Sequence, residues 1–67
     1  MGITIKAARI NRGLKQSEAA VLLGVSRKTL SYYENGKSLP RVNLVEKMGT
    51  VYEVDKDDFI FLPIKNA

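Results

Sequence analysis

Apolar residues recur at three- and four-residue spacing along most of this chain, the period of amphipathic helices rather than of strands. Ile3, Ala7, Ile10 and Leu14 form the first such stripe, while Lys6, Arg9 and Arg12 project elsewhere. Thr4 suits the cap of this helix, and Gly13 its left-handed stop. A second helix is predicted from Gln16 to Leu23, with Glu18 in the first turn, where a carboxylate complements the helix dipole. Its cap position holds Lys15, which has no acceptor for the first-turn amides. Gln16 or Ser17 is expected to serve instead, at a local cost of ~1 kcal/mol. Gly24 ends this helix, Val25 plugs the turn, and Ser26 caps a third helix from Arg27 to about Asn35. Leu30 and Tyr33 point inward from it; Arg27, Lys28, Ser31 and Tyr32 share its other side. Asn35-Gly36 is a strong stop.

Lys37 to Pro40 reads as a loop, because Pro40 disfavours helix for Leu39. A fourth helix follows, from Arg41 or Val42 to Tyr52. Its buried stripe is Val42, Val45, Met48 and Tyr52, flanked by Leu44 and Val51. Gly49 in its middle costs ~1 kcal/mol against alanine, and close approach of another helix is the expected reason. Asp55 suits the cap of a last, short helix, with Asp58 in its first turn. Phe59 to Leu62 either continues that helix, which must end before Pro63, or runs extended. The apolar cluster of Phe59, Phe61, Leu62 and Ile64, within the tail 57–67, closes the core or joins a second copy.

At 67 residues the chain is expected to be a single domain, residues 1–67, near the lower size limit for folding without cross-links. It has no cysteine, so neither a disulfide nor a thiolate–zinc site supplements the core. It has no histidine either, which removes the commonest general base and most metal sites. No catalytic residue, metal or cofactor is expected. No apolar run approaches the ~18 residues of a membrane span, and Lys6 and Arg9 interrupt the start, so a soluble cytoplasmic protein is expected.

Charge is uneven. Residues 1–41 carry eight Lys and Arg against Glu18 and Glu34, a balance of +6; residues 42–67 carry three against five acids, a balance of −2. A basic front with a mildly acidic back is the footprint of one face turned to a polyanion, although a basic surface can also be merely solvated.

A resemblance emerges from the spacing within Gln16–Gly36. Ala20, Gly24, Leu30 and Tyr33 stand four, eight, fourteen and seventeen positions after Gln16. With Val25 they match the small crossing residue, turn glycine and inward apolar positions of a helix-turn-helix. The flanks R-x-x-R-G-L-K-Q and Y-E-N-G-K agree, as do the proline and the Val/Met-rich helix that follow. The chain resembles the phage-repressor and Cro-like helix-turn-helix family, also called xenobiotic-response-element-type regulators, over most of residues 3–62. The resemblance implies an all-α fold: a compact bundle of about five short helices with a central helix-turn-helix, the lambda-repressor-like DNA-binding domain. It implies a sequence-specific transcriptional regulator bound to double-stranded DNA, as a homodimer on a near-palindromic operator, with no small-molecule ligand expected.

Carried over position by position, the base-reading sites fall on Arg27, Lys28 and Tyr32, with Ser26 and Thr29 at the groove edge. Arginine or lysine there can donate to guanine O6 and N7. The alternative for Arg27 and Lys28 is a solvated helix start, and for Tyr32 a ring that covers a neighbour. The resemblance also implies phosphate contacts from Gln16, Lys15, Asn35, Lys37 and Arg41. Arg9 matches a family arginine that reaches a phosphate while oriented by a glutamate, here Glu34. A surface ion pair worth ~0–1 kcal/mol is the other reading of that pair.

Two positions depart from the family pattern: Glu53 replaces the glycine that ends helix four, and Lys15 replaces a capping side chain. A rival in another class is a protein-interaction module, an antitoxin or antirepressor, that uses the apolar C-terminal cluster. The basic front discriminates, since a pure interaction module has no need of it.

Overall fold

Local capping chemistry sets most of the helix boundaries in the computed structural model, which describes residues 2–62. A two-residue strand β1 (Ile3–Thr4) leads directly into α1 (Ile5–Asn11), whose first turn is capped by the Thr4 hydroxyl accepting the Ala7 amide at 3.2 Å. Then come α2 (Gln16–Leu23), α3 (Arg27–Glu34) and α4 (Val42–Tyr52). Gly24, at φ 74°, ends α2, and the Ser26 side chain accepts the Thr29 amide at the start of α3. At Lys15 neither Gln16 nor Ser17 caps α2. The Glu18 carboxylate reaches back to accept the Lys15 amide at 2.8 Å, which is half of a capping box, since an ammonium cannot accept the other bond.

The fold is all-α in class, with four helices among the described residues rather than about five. The expected fifth is a single 3-10 turn, Lys56–Asp58, where the Asp55 carboxylate accepts the Asp57 amide. Of the two conformations open to Phe59–Leu62, the extended one begins the segment. Phe59–Ile60 forms β2 and pairs in parallel with β1, Ile3 opposite Phe59. This pairing joins the segment before α1 to the segment after the 3-10 turn.

The core comprises Ile5, Ala8, Ala19, Ala20, Leu23, Leu30, Met48, Tyr52 and Phe59. Small residues on α1 and α2 let those helices approach α3 and α4 closely. Three expectations about facing change. First, α1 buries Ile5, Ala8 and Arg9, and Ile10 is 56% exposed. The predicted stripe is rotated about one residue because a buried arginine, invisible to an apolar count, lies on the inner face. Second, Val42 is 74% exposed, since it opens α4 beyond the edge of the core; Val45, Met48 and Tyr52 face inward as expected. Third, Gly49 is crowded by backbone but not by another helix. A Cβ there would sit 2.7 Å from the Val54 carbonyl oxygen, where the chain turns back after α4. The Val54 amide donates to the Gly49 carbonyl at 2.9 Å and locks that return. Glu53 makes the turn at φ 57°, a left-handed conformation in a non-glycine residue.

Candidate nucleic-acid interface

α3 is anchored on one side and free on the other. Leu30 is fully buried, Tyr33 packs half-buried against the core, and Glu34 is buried. Arg27, Lys28 and Tyr32 are exposed on the outward side, with Ser31 half-buried beside them. Ser26 and Thr29, expected at the groove edge, are joined to each other: the Ser26 hydroxyl donates to Thr29 Oγ1 at 2.8 Å while accepting the Thr29 amide at 3.1 Å. The helix start is thus rigid where its two cations emerge. Two positive side chains at a helix N-terminus oppose the dipole, a cost that an anionic partner removes.

The far end of α3 is equally well held. Gly36, at φ 75°, turns the chain back. The Lys37 amide donates to the Tyr32 carbonyl at 2.9 Å and the Gly36 amide to the Tyr33 carbonyl at 3.4 Å, the paired bonds of a Schellman motif. This closure brings Lys37 beside Tyr32, with its Nζ 5.3 Å from the ring centroid; Lys28 Nζ, one helical turn earlier, is 5.8 Å from the same ring. Tyr32 therefore carries two lysines on its ring. Nothing in the apolar pattern announced this contact, although the order Tyr32, Gly36, Lys37 is the signature of the motif that creates it.

Arg9 and Glu34 form an ion pair, and it is a buried one. Arg9 Nε donates to Glu34 Oε2 at 2.7 Å and Nη2 to Oε1 at 3.2 Å, with the Arg9 and Glu34 side chains 10% and 2% exposed. Arg9 Nη1 donates to the Leu14 carbonyl at 2.9 Å, and Gln16 Nε2 donates to Glu34 Oε1 at 3.2 Å. α1, α2 and α3 are pinned by one carboxylate, and the Arg9 guanidinium is turned inward rather than displayed. Tyr52 of α4 was missed as a member of this group. Its hydroxyl is buried without a protein partner, and burial and then the Glu34 charge push it up to about 12, with Arg9 pulling the other way.

The remaining expected contact residues lie on loops and helix starts. Lys15, Asn35, Lys37 and Arg41 are exposed, and Gln16 is half-buried by its bond to Glu34. Asn35 Nδ2 donates to the Ser31 hydroxyl at 3.1 Å, and the Arg41 carbonyl accepts the Leu44 and Val45 amides. The C-terminal cluster divides. Phe59, at 8% exposure, belongs to the core and leaves the candidate partner surface; Phe61 and Leu62 are 37% and 40% exposed, and Ile64 lies outside the described residues. Among the described residues no acidic group is gathered closely enough to hold a metal ion, and no helix is long and apolar enough to cross a membrane.

The comparisons with known proteins agree with this geometry. The helix-turn-helix family matches residues 5–59. The chain is 38% identical over 55 residues to the ImmF control region 10 kDa protein of Bacillus phage phi105, covering 82% of this chain and 61% of that protein. It is also 38% identical over 50 residues to the cryptic phage CTXphi transcriptional repressor RstR of Vibrio cholerae, covering 75% of this chain and 45% of that one. The chain thus spans less than two thirds of the length of either relative. No solved structure matches it. With an anchored α3, a Gly24 turn and a family match across α1 to β2, the chain belongs to the helix-turn-helix family, in its phage-repressor and Cro-like branch.

Proposed function

We propose that this protein is a sequence-specific, double-stranded DNA-binding transcriptional regulator of Cro/repressor type that inserts α3 into the major groove. The observation that carries this reading is the division of α3 into a side fixed by Leu30 and Glu34 and a side presenting Arg27, Lys28 and Tyr32. Arg27 and Lys28 read base edges, with Ser26 and Thr29 beside them. Lys15, Gln16, Asn35, Lys37 and Arg41 contact phosphates and set the register. With a DNA target, the site of action is the bacterial cytoplasm.

Two copies act together on a near-palindromic operator. An eight-residue α3 is ~12 Å long and reads one groove, whereas paired half-sites lie ~34 Å apart. The face suited to the second copy is an apolar groove between Leu39, Val42, Val45 and Phe61, rimmed by Lys56 and Asp57.

Selection of binding sites from random duplex DNA tests the reading. The wild type is expected to enrich one motif with inverted half-sites, and Arg27→Ala and Lys28→Ala are expected to change it. Lys37→Ala is expected to weaken all sequences alike and to flatten the salt slope by about one unit. Enrichment of no motif by the wild type sinks the regulator reading.

A further inference from the structure

We propose that Tyr32 is a positioning residue: the face of its ring couples Lys28, on the base-reading helix, to Lys37, on the backbone-contacting loop, and orients both toward DNA. The inference rests on the DNA-binding reading and assigns Tyr32 a role through its ring rather than through a hydroxyl contact to a base.

Three observations carry it. Both ammonium groups lie within cation–π range of the one ring, at 5.8 Å and 5.3 Å from its centroid. The two lysines reach the ring by independent routes: Lys28 by the four-residue helical repeat, Lys37 by the Schellman bond from its amide to the Tyr32 carbonyl. Finally, neither lysine has a carboxylate partner among the ion pairs of the described residues. Two like charges gathered at one ring repel each other, and neither is held in an ion pair among the described residues. The electron-rich face offsets part of that repulsion, and a polyanion laid across the pair offsets the rest.

The ring also holds two long, otherwise mobile side chains near one geometry, so less freedom is lost when they bind. Because ring contacts with cations strengthen when water is excluded, docking on DNA tightens the cluster that positions the lysines. The hold on a base edge and the hold on a phosphate are therefore linked. Without the ring, each lysine acts as an independent, flexible charge.

The test compares Tyr32→Phe, which keeps the ring, with Tyr32→Leu, which keeps only apolar bulk. Tyr32 is on the surface side of α3, so both variants are expected to fold, and thermal unfolding checks this. In the free protein, NMR is expected to show the ε-methylene protons of Lys28 and Lys37 shifted upfield of those of Lys6. That shift persists in Tyr32→Phe and vanishes in Tyr32→Leu. On duplexes carrying the selected site, Tyr32→Phe is expected to bind within about twofold of wild type. Tyr32→Leu is expected to bind about five- to tenfold more weakly and to lose discrimination at the base that Lys28→Ala relaxes.

Equal losses in Tyr32→Phe and Tyr32→Leu would assign the effect to the hydroxyl and overturn the proposal. So would wild-type affinity and discrimination in Tyr32→Leu, or the absence of ring shifts on either lysine. A wild-type protein that binds no duplex at all overturns the DNA-binding reading itself, a result distinct from these because the ring shifts are read without DNA.

Discussion

At the scale of single residues, the polar group at the centre of the bundle shows how charge was made tolerable in so small a core. The Glu34 carboxylate is almost wholly buried and survives there only because Arg9 and Gln16 supply three hydrogen bonds. Tyr52 is the weak member, since its hydroxyl is buried beside that charge with no protein partner. Its deprotonation would add a second negative charge to a poorly solvated site, so its folded pKa, about 12, lies above the unfolded value of ~10. The sign follows. Tyr52's contribution to stability is whole below about pH 10 and is lost as pH rises toward the folded value. Urea unfolding of wild type and Tyr52→Phe checks this. The variant is expected to be no less stable at pH 7, and by pH 11 the wild type should have lost about 1 kcal/mol more than the variant. The Arg9–Glu34 match was legible through the family pattern, but its burial was not. Partners twenty-five positions apart reveal their solvation only once the helices are packed.

At the scale of elements, the ends of the helices were more legible than their faces. Thr4, Ser26 and the run Asn35-Gly36-Lys37 act through bonds that span three to five residues, so local sequence suffices to place them. The faces of α1 and α4 depend on what lies across from them, and there Ile10 and Val42 turned outward. The end of α4 offers a sharp test of tertiary against local preference. Alanine favours a helix over glycine by ~1 kcal/mol, yet at Gly49 its Cβ would meet a backbone oxygen at 2.7 Å that cannot move freely. Gly49→Ala is therefore expected to lower stability by about 1–3 kcal/mol. Glu53→Gly is expected to raise it by about 1 kcal/mol, because relief of the left-handed strain exceeds the loss of an exposed pair with Arg12. Midpoints of urea unfolding decide both, and a stabilised Gly49→Ala would refute the close approach.

At the scale of the whole molecule, the parallel pairing of β1 with β2 determines which C-terminal residues are structural and which are free. It draws Phe59 into the core opposite Ile3 and leaves Phe61 and Leu62 on the surface. The two phenylalanines should therefore separate cleanly. Phe59→Ala is expected to cost about 3–5 kcal/mol of folding stability by opening a cavity. Phe61→Asp is expected to leave folding nearly unchanged and to weaken self-association, as measured by sedimentation. Similar loss of folding in both would merge the two roles; a wild type that stays monomeric at high concentration would remove the proposed second copy.

The sequence by itself determined the four helices, the Thr4 and Ser26 caps, the Gly24 turn and the basic outer side of α3. These depend on neighbours within a turn or two and on a charge balance that can be counted. The tertiary structure decided the burial of Arg9, the short parallel pairing in place of a fifth helix and the crowding at Gly49. It also placed two lysines on the Tyr32 ring. Each of those depends on distances between groups that the chain brings together only on folding, where desolvation and close packing outweigh local preference.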